Sequence, residues 1–124
     1  SSPEFYMPTG WRKKNEDKKQ GSHEDQFVHL SYSEEQALHD IMHNCQTLYE
    51  NFLDIGICAE QSRMILPQNT MTEWYWSGSL HAFARVCNLR CKKDTQKETR
   101  DVANQIDEIA REHFPISWKY LRSH

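Results

Sequence analysis

The most constraining feature of this chain is an apolar stripe at helical spacing. Leu38, Ile41, Met42, Cys45, Leu48, Tyr49, Phe52 and Leu53 recur every three or four residues, which predicts a long helix from about Ser33 to Ile55 ended at Gly56. The "SEEQ" at its start reads as a capping box with Ser33 as N-cap and Gln36 reaching back. The stripe is most simply core packing. With 124 residues, the chain has room for one domain and one core.

Before that helix the chain changes character. Residues 1–32 contain Pro3, Pro8, Gly10 and Gly21, and "RKKNEDKKQGSHEDQ" mixes both charge signs without an apolar period. Such a segment has little to bury, so an irregular, mobile loop is expected. After the long helix, "CAEQSRMIL" predicts a short helical turn stopped at Pro67. "NTMTEWYWSGS" predicts a strand, with Thr70, Thr72, Trp74 and Trp76 on one face. A helix then runs from Ser79 to Arg90 and turns Leu80, Phe83, Ala84 and Cys87 inward. "TQKE" reads as a second capping box at Thr95, opening a helix with Val102, Ala103, Ile106, Ile109 and Ala110 as its stripe and Pro115 as its end. "ISWKYLRSH" reads as a short terminal turn. The fold class is α+β and mainly helical, with residues 33–124 as the helical and strand portion of a single domain.

Net charge is −3, and hydrophobic residues make up 37% of the chain. A global cationic surface for DNA is not indicated. No apolar run approaches the roughly 20 residues of a membrane span, and "SSPEFYMPTGW" lacks the order of a secretory signal, so a cytoplasmic protein without membrane partners is expected. The four cysteines, Cys45, Cys58, Cys87 and Cys91, fall in helix-like segments and read as reduced, structural thiols. His39 and His43 have the i, i+4 spacing of zinc helices. They lack the glutamate that a zinc hydrolase places directly after its first histidine, and no metal site is expected.

The chemistry concentrates in residues 62–90, where three arginines accompany Trp74, Tyr75 and Trp76. Arg63 precedes the proline-stopped turn, and Arg90 ends the helix after the aromatic segment. Paired guanidinium forks beside aromatic rings suit a planar anion such as a nucleotide. Two surface arginines over a packed strand remain the alternative on periodicity alone.

The order of these residues resembles the C-terminal half of the flavin-dependent thymidylate synthases, the ThyX family. The resemblance rests on Arg63 with Leu66 and Pro67, Trp74 to Trp76, Gly78 and Ser79, Leu89 and Arg90, then Gln96, Glu98 and Arg100, and finally Phe114 and Pro115. The upstream "SPEFYMPTGWRKK" resembles the loop after the family's signature. That signature, RHRxxSxNExSxRY, is absent from this sequence. The resemblance therefore implies a C-terminal piece of the enzyme, inactive alone, that works in a homo-oligomer or with a complementing N-terminal segment.

What the resemblance implies is reductive methylation of dUMP to dTMP, with FAD as cofactor and methylenetetrahydrofolate and NADPH as co-substrates, in a homotetramer. Arg63 and Arg90 would hold dUMP, with Arg90 on the uracil as the one catalytic candidate. Ser79, His81 and Arg85 would line the flavin. His81 stands where many relatives carry Arg, and Arg85 where many carry His or Asn. A non-catalytic ThyX-like interaction module and a related flavin-dependent pyrimidine-nucleotide enzyme are the alternatives.

Overall fold

A computed structural model of the chain describes residues 2–16 and 22–123, with the side chains of residues 22–24 outside the description. It is mainly helical, with a small antiparallel two-stranded sheet. The strands are β1, Trp11–Lys14, and β2, Ser22–Val28. The helices are α1, Tyr32–Asp54, α2, Ala59–Ser62, α3, Leu80–Arg90, α4, Lys97–His113, and α5, Pro115–Leu121, with a 3₁₀ turn at Arg63–Ile65. The described chain divides into two compact units. The first comprises residues 2–11 and Val28–Trp74, and the second the described residues of 12–27 and residues 75–123.

In the first unit, α1 packs on α2 and on the 3₁₀ turn. Its N-terminus is closed two residues earlier than expected, because the capping box is Ser31 with Glu34 and not Ser33 with Gln36. Ser31 Oγ accepts from the Glu34 N–H at 3.2 Å, and Glu34 Oε1 accepts from the Ser31 N–H at 3.1 Å. The Ser31 N–H, and after it the Ser31 hydroxyl donating to Glu34 Oε1 at 2.8 Å, hold the Glu34 carboxyl below its ordinary range. Gln36 instead donates to Asp40 one turn on.

The C-terminus of α1 ends at glycine as the sequence suggests. Gly56 takes a φ of 95°, the left-handed region that a Cβ disfavours. There its N–H reaches the Leu53 carbonyl at 3.0 Å, and the Ile57 N–H reaches Phe52 at 2.9 Å, the paired bonds of a Schellman motif. The stripe itself behaves differently from expectation. No residue of α1 is fully buried, Ile41 and Leu48 are exposed, and Leu38, Met42, Cys45, Tyr49 and Phe52 are half-buried.

The aromatic segment is not a strand. Among the described residues, only Thr70 pairs, in a single antiparallel bridge to Phe5, with the Met71 N–H on the Glu4 carbonyl and the Tyr6 N–H on Asn69, each at 2.7 Å. From Met71 to Ser79 the backbone joins no ladder, and Trp74 and Tyr75 lie open to solvent. Propensity marks residues that fit a pleated surface, but a strand needs a neighbour to bond. The ladder that does form, β1 with β2, lies within residues 1–32, where an irregular loop was expected. The centre of that expected loop, residues 17–21, lies outside the described residues.

The second unit holds the core. Ala84 and Cys87 of α3, Ala110 of α4 and Trp118 of α5 form one buried cluster, with Leu80, Phe83, Cys91, Ile106 and Leu121 packed against it. Helix α3 begins as expected at Ser79, whose Oγ accepts from the Ala82 N–H at 3.1 Å. Helix α4 does not begin with the Thr95 box. Its N-cap is Gln96 without a side-chain cap bond, and Thr95 Oγ1 donates to the Leu89 carbonyl at 3.4 Å. Ala103 and Ala110 of the expected stripe are buried, whereas Val102 and Ile109 are exposed. Pro115 ends α4 and opens another helix, since its fixed φ suits a first helical position. The expected terminal turn is thus α5, and its Trp118 is among the largest fully buried side chains.

Candidate functional site

Helix α3 carries most of the residues singled out for chemistry. Successive helical turns place Arg85, Val86, Leu89 and Arg90 along one side of it. That side forms a wall of a cavity of about 720 Å³, closed by Trp76 from the preceding segment and by Glu98, Thr99 and Val102 of α4. The indole of Trp76 is fixed by an edge-on contact with Phe83, ring centroids 5.2 Å apart. Two guanidinium groups, an aromatic ring and an apolar wall therefore share one cavity.

The charge of the cavity follows from its partners. Among the described residues, neither Arg85 nor Arg90 makes a side-chain hydrogen bond or ion pair. Glu98 is a carboxylate in the same wall, but Arg12 of β1 neutralises it, with Nη2 donating to Oε1 at 2.7 Å and to Oε2 at 2.6 Å. Burial by itself raises the Glu98 carboxyl. The bonds from Arg12 and Gln96 outweigh that and hold it below its ordinary range. What is left is an excess of positive charge directed by planar donors, the chemistry that suits a phosphate or a carbonyl edge.

The other expected residues are placed as follows. Ser79 spends its acceptor on capping α3. His81 is exposed in the first turn of α3, four residues before Arg85 and so on the same face. Among the described residues, neither Ser79 nor His81 lines the cavity. Arg63 is exposed and lines a cavity of about 650 Å³ in the first unit, whose wall includes Tyr49, Pro67 and Thr70 and two carboxylates, Glu4 and Glu73. No group of three or more His, Cys, Asp or Glu residues suited to a metal ion occurs among the described residues. No described helix is long and apolar enough to cross a membrane.

Beside the cavity wall lies a polar network that sequence reading missed. Asp107 of α4 accepts from Trp118 Nε1 at 2.8 Å and from Arg122 Nε at 2.8 Å through Oδ1, while Arg111 reaches Oδ2 at 2.9 Å. Arg122 also donates to Asn88 Oδ1 of α3 at 2.7 Å, and Asn88 Nδ2 caps the Leu121 carbonyl at 3.1 Å. Burial alone raises the Asp107 carboxyl, but the bonds from Arg122 and Trp118 hold it below its ordinary range. Cys87, fully buried nearby, has its thiol pushed up to about 12, first by burial and then by its neighbours Cys91 and Asp107. The available signal was a carboxylate on the buried stripe of α4, four residues after Ala103 and three before Ala110. The Arg12 pair carries no comparable signal, since its partners are far apart in sequence.

Comparison with known proteins places the chain in a family. Residues 1–116 match the family described as thymidylate synthase complementing protein. The chain is 32% identical over 121 residues to the flavin-dependent thymidylate synthase of Thermus thermophilus, covering 98% of this chain and 44% of that protein. It is 30% identical over 133 residues to the same-named protein of Borreliella burgdorferi, covering 98% and 48%. With that of Dictyostelium discoideum it shares 32% over 115 residues, covering 91% and 38%. The chain thus spans about half the length of the curated relatives it matches. A family match that takes in both units, the arginine-lined wall of α3 and its partner α4 makes this chain a member of the thymidylate synthase complementing protein family, that of the flavin-dependent thymidylate synthases.

Proposed function

We propose that this chain forms part of an FAD-dependent thymidylate synthase that converts dUMP to dTMP, with methylenetetrahydrofolate as carbon source and NADPH as reductant. Family membership supports the reaction class. The observation that carries the residue-level reading is the cavity that joins Arg85, Arg90 and Trp76 while Arg12 neutralises Glu98.

In this reading Arg90 donates its fork to the uracil and fixes a positive charge beside it, which withdraws electron density from the ring and favours attack on it. Trp76 offers a stacking face and the α3–α4 wall excludes water. Arg63 is assigned to the nucleotide on the family resemblance alone. No side chain of this chain is assigned as nucleophile, general acid or general base.

His81 and Arg85, an imidazole and a guanidinium on one exposed face, with Ser79 at the helix start, form a donor set that fits the phosphates or carbonyl edges of a flavin. Bound there, FAD supplies the hydride chemistry that these side chains cannot. Because the chain spans about half the length of its relatives, the rest of the pocket comes from further polypeptide, in a cytoplasmic homotetramer.

The test is to express the full reading frame that carries this chain, record its absorbance and identify the product formed from dUMP. Flavin absorbance with dTMP supports the proposal. Flavin with a different product assigns a related pyrimidine-nucleotide enzyme. Absence of both flavin and dUMP binding assigns a non-catalytic module and overturns the proposal.

A further inference from the structure

The cavity of the second unit is lined by an acidic residue, Glu98, and by two arginines, Arg85 and Arg90. A carboxylate in such a place is a competitor for any anionic ligand, because long, flexible arginine side chains close on it at little cost. The structure does not make that pair. Arg12 takes both oxygens of Glu98, and Gln96 Nε2 adds a bond to Oε2 at 3.1 Å. The Arg12 side chain is 12% exposed and that of Glu98 30%, so the pair is screened less than a surface pair. On the same stretch of α4, Lys97 is occupied by Asp101 at 2.6 Å, and Arg100 donates to the Lys93 carbonyl at 3.2 Å.

We propose that Arg12 is a positioning residue for this cavity: by sequestering Glu98 it keeps that carboxylate off both arginines and leaves Arg90 available to a planar anion of the nucleoside monophosphate class. The inference rests on the nucleotide reading above. It differs from a purely structural role, in which the Arg12–Glu98 pair only ties β1 to α4. If the pair is a tie, breaking it from either end has the same effect. If it sequesters charge, the two ends behave oppositely, since Arg12→Met releases a competing carboxylate whereas Glu98→Gln removes it.

The experiment measures dUMP affinity by titration calorimetry, in the full-length product of the reading frame, for Arg12→Met, Arg12→Lys, Glu98→Gln and the double variant Arg12→Met/Glu98→Gln. Arg90→Gln tests the cavity itself, and helix content by circular dichroism verifies folding. Arg12→Met is expected to weaken dUMP about tenfold, the order of one charge-assisted contact. Arg12→Lys, Glu98→Gln and the double variant should bind like the parent. Equal losses in Arg12→Met, Glu98→Gln and the double variant would reduce the pair to a tie and overturn the proposal. Should Arg12→Met not fold, Glu98→Gln alone still decides, since a tie predicts loss and sequestration predicts none.

Failure of the nucleotide reading shows separately, as a parent that binds no dUMP or an Arg90→Gln variant that binds normally. Guanidinium Nε–H NMR signals then read the pairing without ligand. In Arg12→Met, Arg85 or Arg90 should gain protection from solvent exchange and lose it again in the double variant. Unchanged signals would contradict the inference.

Discussion

The guanidinium of Arg122 donates from Nε to Asp107 Oδ1 at 2.8 Å, and both side chains are almost wholly buried. Because the indole of Trp118 donates to the same oxygen, one carboxylate holds α5 to α4. Asn88 carries the connection to α3. Removing the acceptor leaves two buried donors unmet. Asp107→Ala should therefore destabilise the fold by about 3 kcal/mol in chemical denaturation. Arg111→Ala, which removes the more exposed partner, should cost less than about 1 kcal/mol. Arg122→Lys loses the planar fork that spans Asp107 and Asn88, so it should also destabilise and is a poor control for activity measurements.

Acid should weaken the same network. Asp107 is held below its ordinary 3.8 and Glu98 below its ordinary 4.5, so near those values the unfolded chain binds more protons than the folded one. Their contribution to stability is present above the ordinary values and is lost as pH falls through the lower folded-state values. Denaturant midpoints measured from pH 6 down to pH 3 should drop, and the drop should be shallower in Asp107→Asn. An equal pH dependence in that variant would contradict the assignment.

Thiol reactivity should follow burial. Cys58 is exposed, whereas Cys87 is fully buried with its thiol pushed up to about 12. At pH 8, iodoacetamide should modify Cys58 well before Cys87, as read by peptide mass spectrometry. Modification of Cys87 at a comparable rate in the folded protein would contradict the packing of α3.

Association should follow from exposed apolar surface. Trp74 is 73% exposed, Tyr75 103% and Ile55 74%, large apolar side chains whose burial against another copy would be favourable. Light scattering should show concentration-dependent association, reduced in the double variant Trp74→Ser/Tyr75→Ser. A monomer at all concentrations would contradict an assembly role for these side chains.

The helices were legible in the sequence to the extent that their causes are local. Gly56, Ser79 and Pro115 act through their own backbone or hydroxyl, and each sits at a helix boundary. Capping boxes were less secure, because Ser31 and Ser33 both precede the α1 stripe, and only the geometry of the entering chain selects Ser31. The period of α1 marked its inner face but not how deeply it is buried. The aromatic segment failed as a strand because strand formation depends on a partner that local sequence does not name. At the candidate site, the sequence singled out Arg63 with Arg90, and Arg85 through the resemblance, whereas the cavity in the second unit is lined by Arg85 and Arg90 and Arg63 lines another in the first unit. The Glu98 partner was not legible, since Arg12 lies in a charged run without periodicity and meets α4 only through tertiary packing.

The most direct test of the account is Arg90→Lys in the full-length product of the reading frame, with dUMP turnover and flavin content measured together. Lysine keeps the charge but not the planar fork, so kcat/KM for dUMP should fall roughly 30-fold to 1,000-fold while flavin content changes little. The control is Arg111→Lys on the exposed side of α4, which should leave both unchanged. Small, equal effects at both positions would contradict the central claim that the α3 cavity holds the nucleotide.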